Sequence, residues 1–260
     1  SSWWKVSKKE FQRCKYLYLI FFIPFTYYIM FHYIPMYGVT IAFKDFNIME
    51  GISGSPWVGL KHYKVLMSEL YFWKVLRNTL LLNIFNLVFS FPAPIILALM
   101  LNEVTQIKLK KTIQTITYLP YFISTVVLCG MVVNFLSSDG IFNQLAAIFG
   151  YGKTYFLMEP KYFRTIYIAS GIWQGIGWNS IIYMAALTGI DVQLYEAATM
   201  DGANRWGKFT SVTLPGIMPT IAIMFILSVG QIMTVSFEKI LLLYNGSTYE
   251  TADVIATYVY

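Results

Sequence analysis

Charged residues are scarce in this sequence. Asp, Glu, Lys and Arg make up 12% of its 260 residues, whereas 57% are hydrophobic. A soluble domain carries about twice that share of charge and needs polar side chains over its surface. The composition therefore excludes an ordinary soluble globular protein and predicts a chain that faces lipid.

Other absences narrow the function. Two cysteines, Cys14 and Cys129, lie far apart and form no CxxC pair, which argues against a disulfide framework or a zinc site. No Gly-x-x-x-x-Gly-Lys-Ser/Thr segment occurs, so we expect the chain not to bind ATP itself. We also expect no metal site and no catalytic residue, because a membrane enzyme needs acids, His or Lys in a constellation at a membrane face.

Long segments without any charge are present instead. Five stretches of 25 to 29 residues contain no Asp, Glu, Lys or Arg, namely 16–43, 78–102, 112–138, 165–190 and 209–237. A membrane helix needs about 20 mainly apolar residues, and a chain in lipid must satisfy its backbone polar groups internally. The sequence therefore predicts an all-α integral membrane protein with five spans in one transmembrane domain, 16–260, after a cytoplasmic segment, 1–15.

The distribution of basic residues predicts the orientation. With the N-terminus in the cytoplasm, the inner segments 1–15, 103–111 and 191–208 hold ten basic residues, and outer segments of about twice the length hold nine. This bias favours a cytoplasmic N-terminus. The formal net charge of +6 is spread over short loops between apolar runs, a pattern typical of contact with anionic lipid rather than nucleic acid.

One inner loop has a pattern of its own, DVQLYEAATMDGANRWGKFTSVTLPGI, which begins at Asp191. Asp191 is typical of a helix N-cap, Val192–Met200 contains good helix formers, and Gly202 suits a left-handed helix end. We expect a second short helix over Ala203–Val212 and Pro215 at the start of the next span. The pattern indicates a compact helix–turn–helix at the inner membrane face; the alternative is a solvated connecting loop.

This loop resembles the EAA motif of permeases from binding-protein-dependent ABC importers. In that motif Glu-Ala-Ala is followed by three residues, Gly, nine residues, Ile, one residue and Leu-Pro. The matching residues here, in register, are Glu196, Ala197, Ala198, Gly202, Val212, Leu214 and Pro215. Val212 in place of Ile is a conservative departure. Further phrases, such as FHYIPMYGVTIAFKDFN and FPAPIILALMLNE, resemble the carbohydrate-uptake branch.

The resemblance implies a role and a set of partners. Loop 191–213 would be the coupling helix that sits in a cleft of a cytoplasmic ATPase, through Glu196, Ala197, Ala198, Asp201, Gly202, Arg205, Leu214 and Pro215. The implied partners are a second permease subunit, two ATPase subunits that use ATP and Mg²⁺, and an extracytoplasmic solute-binding protein. The implied place is the bacterial inner membrane, the implied cargo is an oligosaccharide, and the family core of six spans leads us to expect a sixth beyond Tyr260.

Polar residues within spans are candidates for the translocation path. Gln174 and Trp178 are four residues apart and share a helix face. Aromatic faces and amide groups together suit a sugar, and the full candidate set is Trp173, Gln174, Trp178, Asn179, Asn83, Asn86 and Gln231. The alternative for each is helix packing or an interfacial position. Two other functions stay open: the same architecture with a non-sugar cargo, and a channel or receptor that works without ATP.

Overall fold

The computed structural model describes residues 13–260, and its regular secondary structure is helical, without a named β-strand in that part of the chain. It confirms the predicted all-α class. Most of the predicted cytoplasmic segment 1–15 lies outside the described residues. The chain divides into two compact units, one that ends at Phe72 and one over Trp73–Tyr260.

The first unit contains the first predicted span. Helix α1 (Lys15–Tyr28) continues through a π-helical turn (Ile29–Tyr33), α2 (Ile34–Met36) and a 3₁₀ segment (Tyr37–Phe43) as one helical run of 29 residues. Two short helices, α3 (Gly51–Gly54) and α4 (Lys61–Ser68), follow. The segment from the end of the helical run to α4 is closed by an ion pair of Lys61 with Asp45 at 3.2 Å and by a stack of Trp57 on Phe43.

The second span matches its prediction, and the third differs from it. Helices α5 (Leu70–Ser90) and α6 (Pro92–Glu103) form one run of 34 residues that contains the charge-free stretch 78–102. The stretch 112–138 is instead divided between α7 (Ile107–Tyr118) and α8 (Thr125–Leu136) by a 3₁₀ turn, Leu119–Phe122. Pro120 in that turn has no N–H to donate, and the Ser124 hydroxyl caps α8 by accepting from Val127 N.

The fourth predicted span, 165–190, is covered up to Thr188 by the longest helix of the second unit. After α9 (Ile141–Ile148), α10 runs over Pro160–Thr188 and packs against α6, α7 and α8. Four described helical runs are long and apolar enough to cross a membrane, and α10 is not among them. Its amides and tryptophans lower its hydropathy, although its 29 residues exceed the length that a span requires.

The fifth span starts earlier and ends earlier than predicted. After α11 (Val192–Met200), the helix runs from α12 (Arg205–Lys208) through a π-helical turn (Phe209–Thr213) into α13 (Leu214–Gly230). The separate short helix expected over Ala203–Val212 is therefore part of the span, and Pro215 lies inside it. The wide turn, in which Leu214 N donates to Phe209 O, precedes the proline that cannot donate.

The last residues of the chain fold back onto the bundle. Residues 231–236 are not helical, contrary to the predicted span 209–237, and α14 (Phe237–Leu243), α15 (Tyr249–Ala252) and α16 (Ile255–Val259) follow. Side chains of this region contribute to a core with α5, α8 and α10, namely Ile240, Leu243, Ala252 and Val254. A second core joins α6, α10 and α13, with Ala98, Leu101, Tyr183, Met184, Leu187 and Ile217.

Candidate functional site

The loop between α10 and α13 has the local geometry that its residues predict. The Asp191 carboxylate accepts a hydrogen bond from Gln193 N at 2.9 Å and caps α11. Gly202 has a φ of +76°, a left-handed conformation that a β-carbon disfavours. Asn204, which the sequence analysis missed, caps α12 by accepting from Gly207 N at 2.8 Å. Its position before Arg205, as an Asn at a helix start, is the signal that was available.

The loop presents charged and apolar side chains outward together. Glu196, Ala197, Asp201 and Arg205 are exposed, whereas Ala198 is half-buried. None of the three charged residues joins an ion pair within residues 13–260. Large apolar side chains lie beside them, with Val192 66%, Leu194 53%, Trp206 68% and Met200 89% exposed. A surface with unpaired charges and exposed apolar groups is typical of a protein interface.

The loop is firmly attached to the fifth span. The Tyr195 hydroxyl lies 2.9 Å from Thr213 Oγ1 and joins α11 to the π-helical turn. A β-carbon on Gly216 would lie 2.7 Å from Ile190 Cδ1, so this part of the span passes close to the end of α10. Leu214 is half-buried and Pro215 is exposed between these two contacts. A displacement of α11 would therefore be transmitted to α13.

Four of the seven predicted path residues line one cavity. It has a volume of about 370 Å³ and lies between α5, α10 and α13, with Asn83, Asn86, Asn179 and Gln231 in its wall. The sequence analysis missed its hydroxyl-bearing residues Ser90, Tyr183, Ser228 and Thr234. Ser90 Oγ donates to Asn86 Oδ1 at 2.6 Å, and a β-carbon on Gly175 would lie 3.1 Å from Asn179 Nδ2. We call this space the amide cavity; no charged side chain lines it.

Gln174 and Trp178 share a face, as predicted, but it is not the face of the amide cavity. Gln174 Nε2 donates to Ile123 O at 3.0 Å and satisfies a carbonyl in the break between α7 and α8. Trp178 stacks on Tyr121 with ring centroids 4.6 Å apart and an interplanar angle of 6°. Phe122 contacts Trp178 edge-on, and all three rings stay partly exposed. We call these three rings the aromatic platform.

Trp173 points elsewhere again. It lines an apolar cavity of about 550 Å³ with Met131, Phe135, Phe142 and Ile166 among others. Its neighbours are almost all hydrocarbon, which is typical of packing or lipid contact rather than sugar binding. Among residues 13–260, no group of three His, Cys, Asp or Glu side chains is placed to hold a metal ion.

Comparison with known proteins identifies the family. Residues 65–260 match the family described as "Binding-protein-dependent transport system inner membrane component". The polygalacturonan/rhamnogalacturonan transport system permease protein YteP of Bacillus subtilis is 44% identical over 95% of this chain and 77% of its own length. Protein LplB of the same organism is 38% identical over 100% of this chain and 80% of its length.

Solved structures agree in fold. A crystal structure of a bacterial ABC transporter involved in the import of the acidic polysaccharide alginate contains a chain with 43% identity and a TM-score of 0.89, covering 100% of this chain and 86% of that one. A second structure shows a bacterial alginate ABC transporter in complex with an alginate pentasaccharide-bound periplasmic protein. Its matching chain has 43% identity and a TM-score of 0.88, covering 97% of this chain and 84% of that one. The chain belongs to the family of inner membrane components of binding-protein-dependent transport systems, as a permease.

Proposed function

We propose that this chain is the permease subunit of an ATP-driven importer that translocates an oligosaccharide. The observation that carries the proposal is the loop that begins at Asp191, whose cap, turn and outward-facing surface suit a coupling contact. The cargo class follows from relatives at 44% and 43% identity, named for polygalacturonan or rhamnogalacturonan and for alginate. The subunit itself is not catalytic in this proposal.

The proposed assembly has the partners of an importer. A second permease subunit completes a heterodimer, two ATPase subunits bind ATP and Mg²⁺, and an extracytoplasmic binding protein delivers the oligosaccharide. Membrane lipid surrounds the spans, and the N-terminus lies in the cytoplasm. The charged residues Glu196, Asp201 and Arg205 meet counter-charges on the ATPase, while Met200 and Trp206 fill apolar recesses.

The coupling step follows from the way in which the loop is attached. Closure of the ATPase subunits displaces α11, and the bond between Tyr195 and Thr213 carries that displacement into the fifth span. Close packing of Gly216 on Ile190 moves the end of α10 with it. Packed helices move as rigid bodies rather than deform continuously, so the bundle changes between inward-open and outward-open arrangements.

The translocation path is proposed to use both polar surfaces of α10. Amide and hydroxyl groups of the amide cavity offer hydrogen bonds to sugar hydroxyls, without a charge that would hold the cargo too tightly to release it. The aromatic platform offers ring faces on which sugar rings stack. Asn179 and Trp178 are adjacent in sequence, but Asn179 lines the amide cavity and Trp178 belongs to the aromatic platform.

Reconstitution tests the function as a whole. The complete importer, in proteoliposomes with its binding protein, is assayed for oligosaccharide uptake and ATP hydrolysis together. We expect both activities to require the loaded binding protein. Uptake that proceeds without ATP would favour a channel, and hydrolysis stimulated only by a peptide or amino acid would change the cargo class.

A single substitution tests the amide cavity. Asn179→Leu keeps the approximate size of the side chain but removes its hydrogen bonds, so we expect uptake of the oligosaccharide to fall about threefold to tenfold. Asn134→Leu is the matched control, because Asn134 is exposed on α8 and does not line the cavity. Equal uptake by the two variants, with normal co-purification of the ATPase, would remove Asn179 from the path.

A further inference from the structure

Two arginines lie at the end of the second unit that is remote from the coupling loop. Arg164 is in the second turn of α10 and Arg77 is on α5. From Arg164 to the end of α10 at Thr188 the helix rises about 36 Å at 1.5 Å per residue, which is the thickness of a membrane core and more. If the coupling loop faces the cytoplasm, as proposed, these arginines are at the extracytoplasmic mouth.

Arg164 is held in position by an amide with a fixed orientation. Its Nη2 donates to Asn78 Oδ1 at 3.0 Å. Asn78 is fully buried, and its Nδ2 donates to Glu250 O at 2.9 Å and Asp253 O at 3.0 Å. Because both amide hydrogens are engaged by carbonyls, the oxygen of Asn78 must point to the guanidinium. The C-terminal fold-back therefore fixes Arg164.

The guanidinium of Arg164 is otherwise poorly satisfied. A guanidinium has five N–H donors, and the structure gives Arg164 one hydrogen bond. Its Nε is buried without a partner. A buried donor without a protein partner is uncommon, and an ordered water or an anion is the usual partner of such a group.

Neither arginine joins an ion pair within residues 13–260. Arg77 directly precedes Asn78, whose side chain accepts from Arg164, and the charge of Arg77 acts on the Arg164 guanidinium. The ion pairs within residues 13–260 are Lys61 with Asp45, Lys153 with Asp139 and Lys161 with Glu159, and they include neither arginine. Neighbouring cations repel each other, and an anion bound between them offsets that repulsion. This corner of the protein is therefore suited to an anion from outside the chain.

We propose that Arg164 and Arg77, with Asn78 as the positioning residue, form a subsite for the carboxylate of an acidic sugar at the extracytoplasmic mouth. The inference rests on the proposed function and narrows its cargo to acidic oligosaccharides. A carboxylate matches the planar fork of a guanidinium, which binds it through two parallel hydrogen bonds. The amide cavity carries no charge, so selection for acidic sugars takes place before the cargo reaches it.

The relatives are consistent with this cargo. The solved importer at 43% identity takes up a polysaccharide described as acidic. Polygalacturonan, named for the relative at 44% identity, is a polymer of a sugar acid with one carboxylate on each ring. A cation pair at the mouth would raise the local concentration of such a polyanion and orient it.

Direct binding tests the subsite without the solute-binding protein. The purified importer complex in lipid nanodiscs is titrated with trigalacturonate and, separately, with its fully methyl-esterified and therefore neutral form. We expect the acidic form to bind more tightly, and Arg164→Gln or Arg77→Gln to weaken its binding about tenfold, as the loss of a charge-assisted hydrogen bond does. Binding of the neutral form is expected to change by less than about twofold.

A matched variant and a conservative one complete the design. Lys161→Gln removes a positive charge three residues before Arg164 on the same helix, and this lysine already forms an exposed ion pair with Glu159. We expect this variant to retain the preference for the acidic form. Arg164→Lys keeps the charge, tests the guanidinium fork and guards against a folding defect in Arg164→Gln. The subsite is refuted if the wild-type complex shows no preference for the acidic form. It is also refuted if that preference survives in both Arg164→Gln and Arg77→Gln, which is the result expected if these arginines bind only lipid phosphates. Oligosaccharide-stimulated ATP hydrolysis with the binding protein tests the proposed function separately.

Discussion

Gly177→Ala tests how closely α10 contacts the break in the third span. A β-carbon built on Gly177 would fall well inside van der Waals contact with the Thr117 carbonyl and 2.8 Å from Tyr118 N. Non-bonded heavy atoms prefer separations of about 3.5–4.0 Å. The atoms in the way belong to the backbone of α7, so no side chain can rotate to make room. Either α7 or α10 must move by about 1 Å.

The size of the effect follows from three contributions. Overpacking of a fitted contact costs about 1–3 kcal/mol, and a shift of α7 also separates Tyr121 from Trp178, a stack worth about 1 kcal/mol. Against this, replacing Gly by Ala within a helix gains about 1 kcal/mol. The net loss is about 1–3 kcal/mol, which corresponds to a fall in melting temperature of about 2–12 °C for a chain of this size.

Thermal unfolding of the purified complex in detergent measures this fall. Gly130→Ala is the matched control, because Gly130 is also helical and a β-carbon there would meet nothing within 4 Å. We expect the control to melt at the wild-type temperature or slightly above it. If Gly177→Ala melted together with Gly130→Ala, the close approach of α10 to α7 would be refuted.

The coupling loop gives two further predictions. Gly202→Val is expected to uncouple ATP hydrolysis from uptake, whereas Gly202→Asn should retain most of the coupled uptake. The reason is that φ is +76° and a β-carbon would meet nothing within 4 Å, so only the backbone conformation constrains this position. Equal uptake by both variants would contradict this. Glu196→Lys is expected to weaken co-purification of the ATPase without lowering the melting temperature, since Glu196 is exposed and joins no ion pair within residues 13–260. The control is Glu50→Lys, which reverses an exposed charge in the first unit.

Features that depend on neighbouring residues were predictable from the sequence. The absence of charge over 25 to 29 residues located the helices of the spans, since lipid leaves the chain no other way to satisfy its backbone. Asp191 and Gly202 fixed both ends of α11, because a cap and a left-handed turn depend on one or two residues. The same criterion extended the fifth span too far, since residues 231–236 are uncharged but not helical.

Features that depend on distant residues were not predictable. Pro120 is visible in the sequence, but the break around it is held by Gln174, Gly177 and Trp178, more than fifty residues further along the chain. Helical periodicity separates Trp173, Gln174 and Asn179 onto different faces of α10, yet it does not say which helix lies opposite each face. Only the packing of α5, α10 and α13 brings the amides of the cavity together.

The break in the third span and the composition of α10 have a common physical cause. Non-helical backbone is tolerated at membrane depth only where protein or water surrounds it. Gln174 takes one carbonyl of the break, and Tyr121 and Phe122 beside it remain exposed. Because the break is non-helical backbone, we expect this side of α10 to meet water or another protein rather than acyl chains. Asn179 brings α10 to the amide cavity. With polar or aqueous surroundings on two faces, α10 can carry polar side chains that a helix surrounded by lipid could not. This explains why α10 is not among the four helical runs that are apolar enough to cross a membrane.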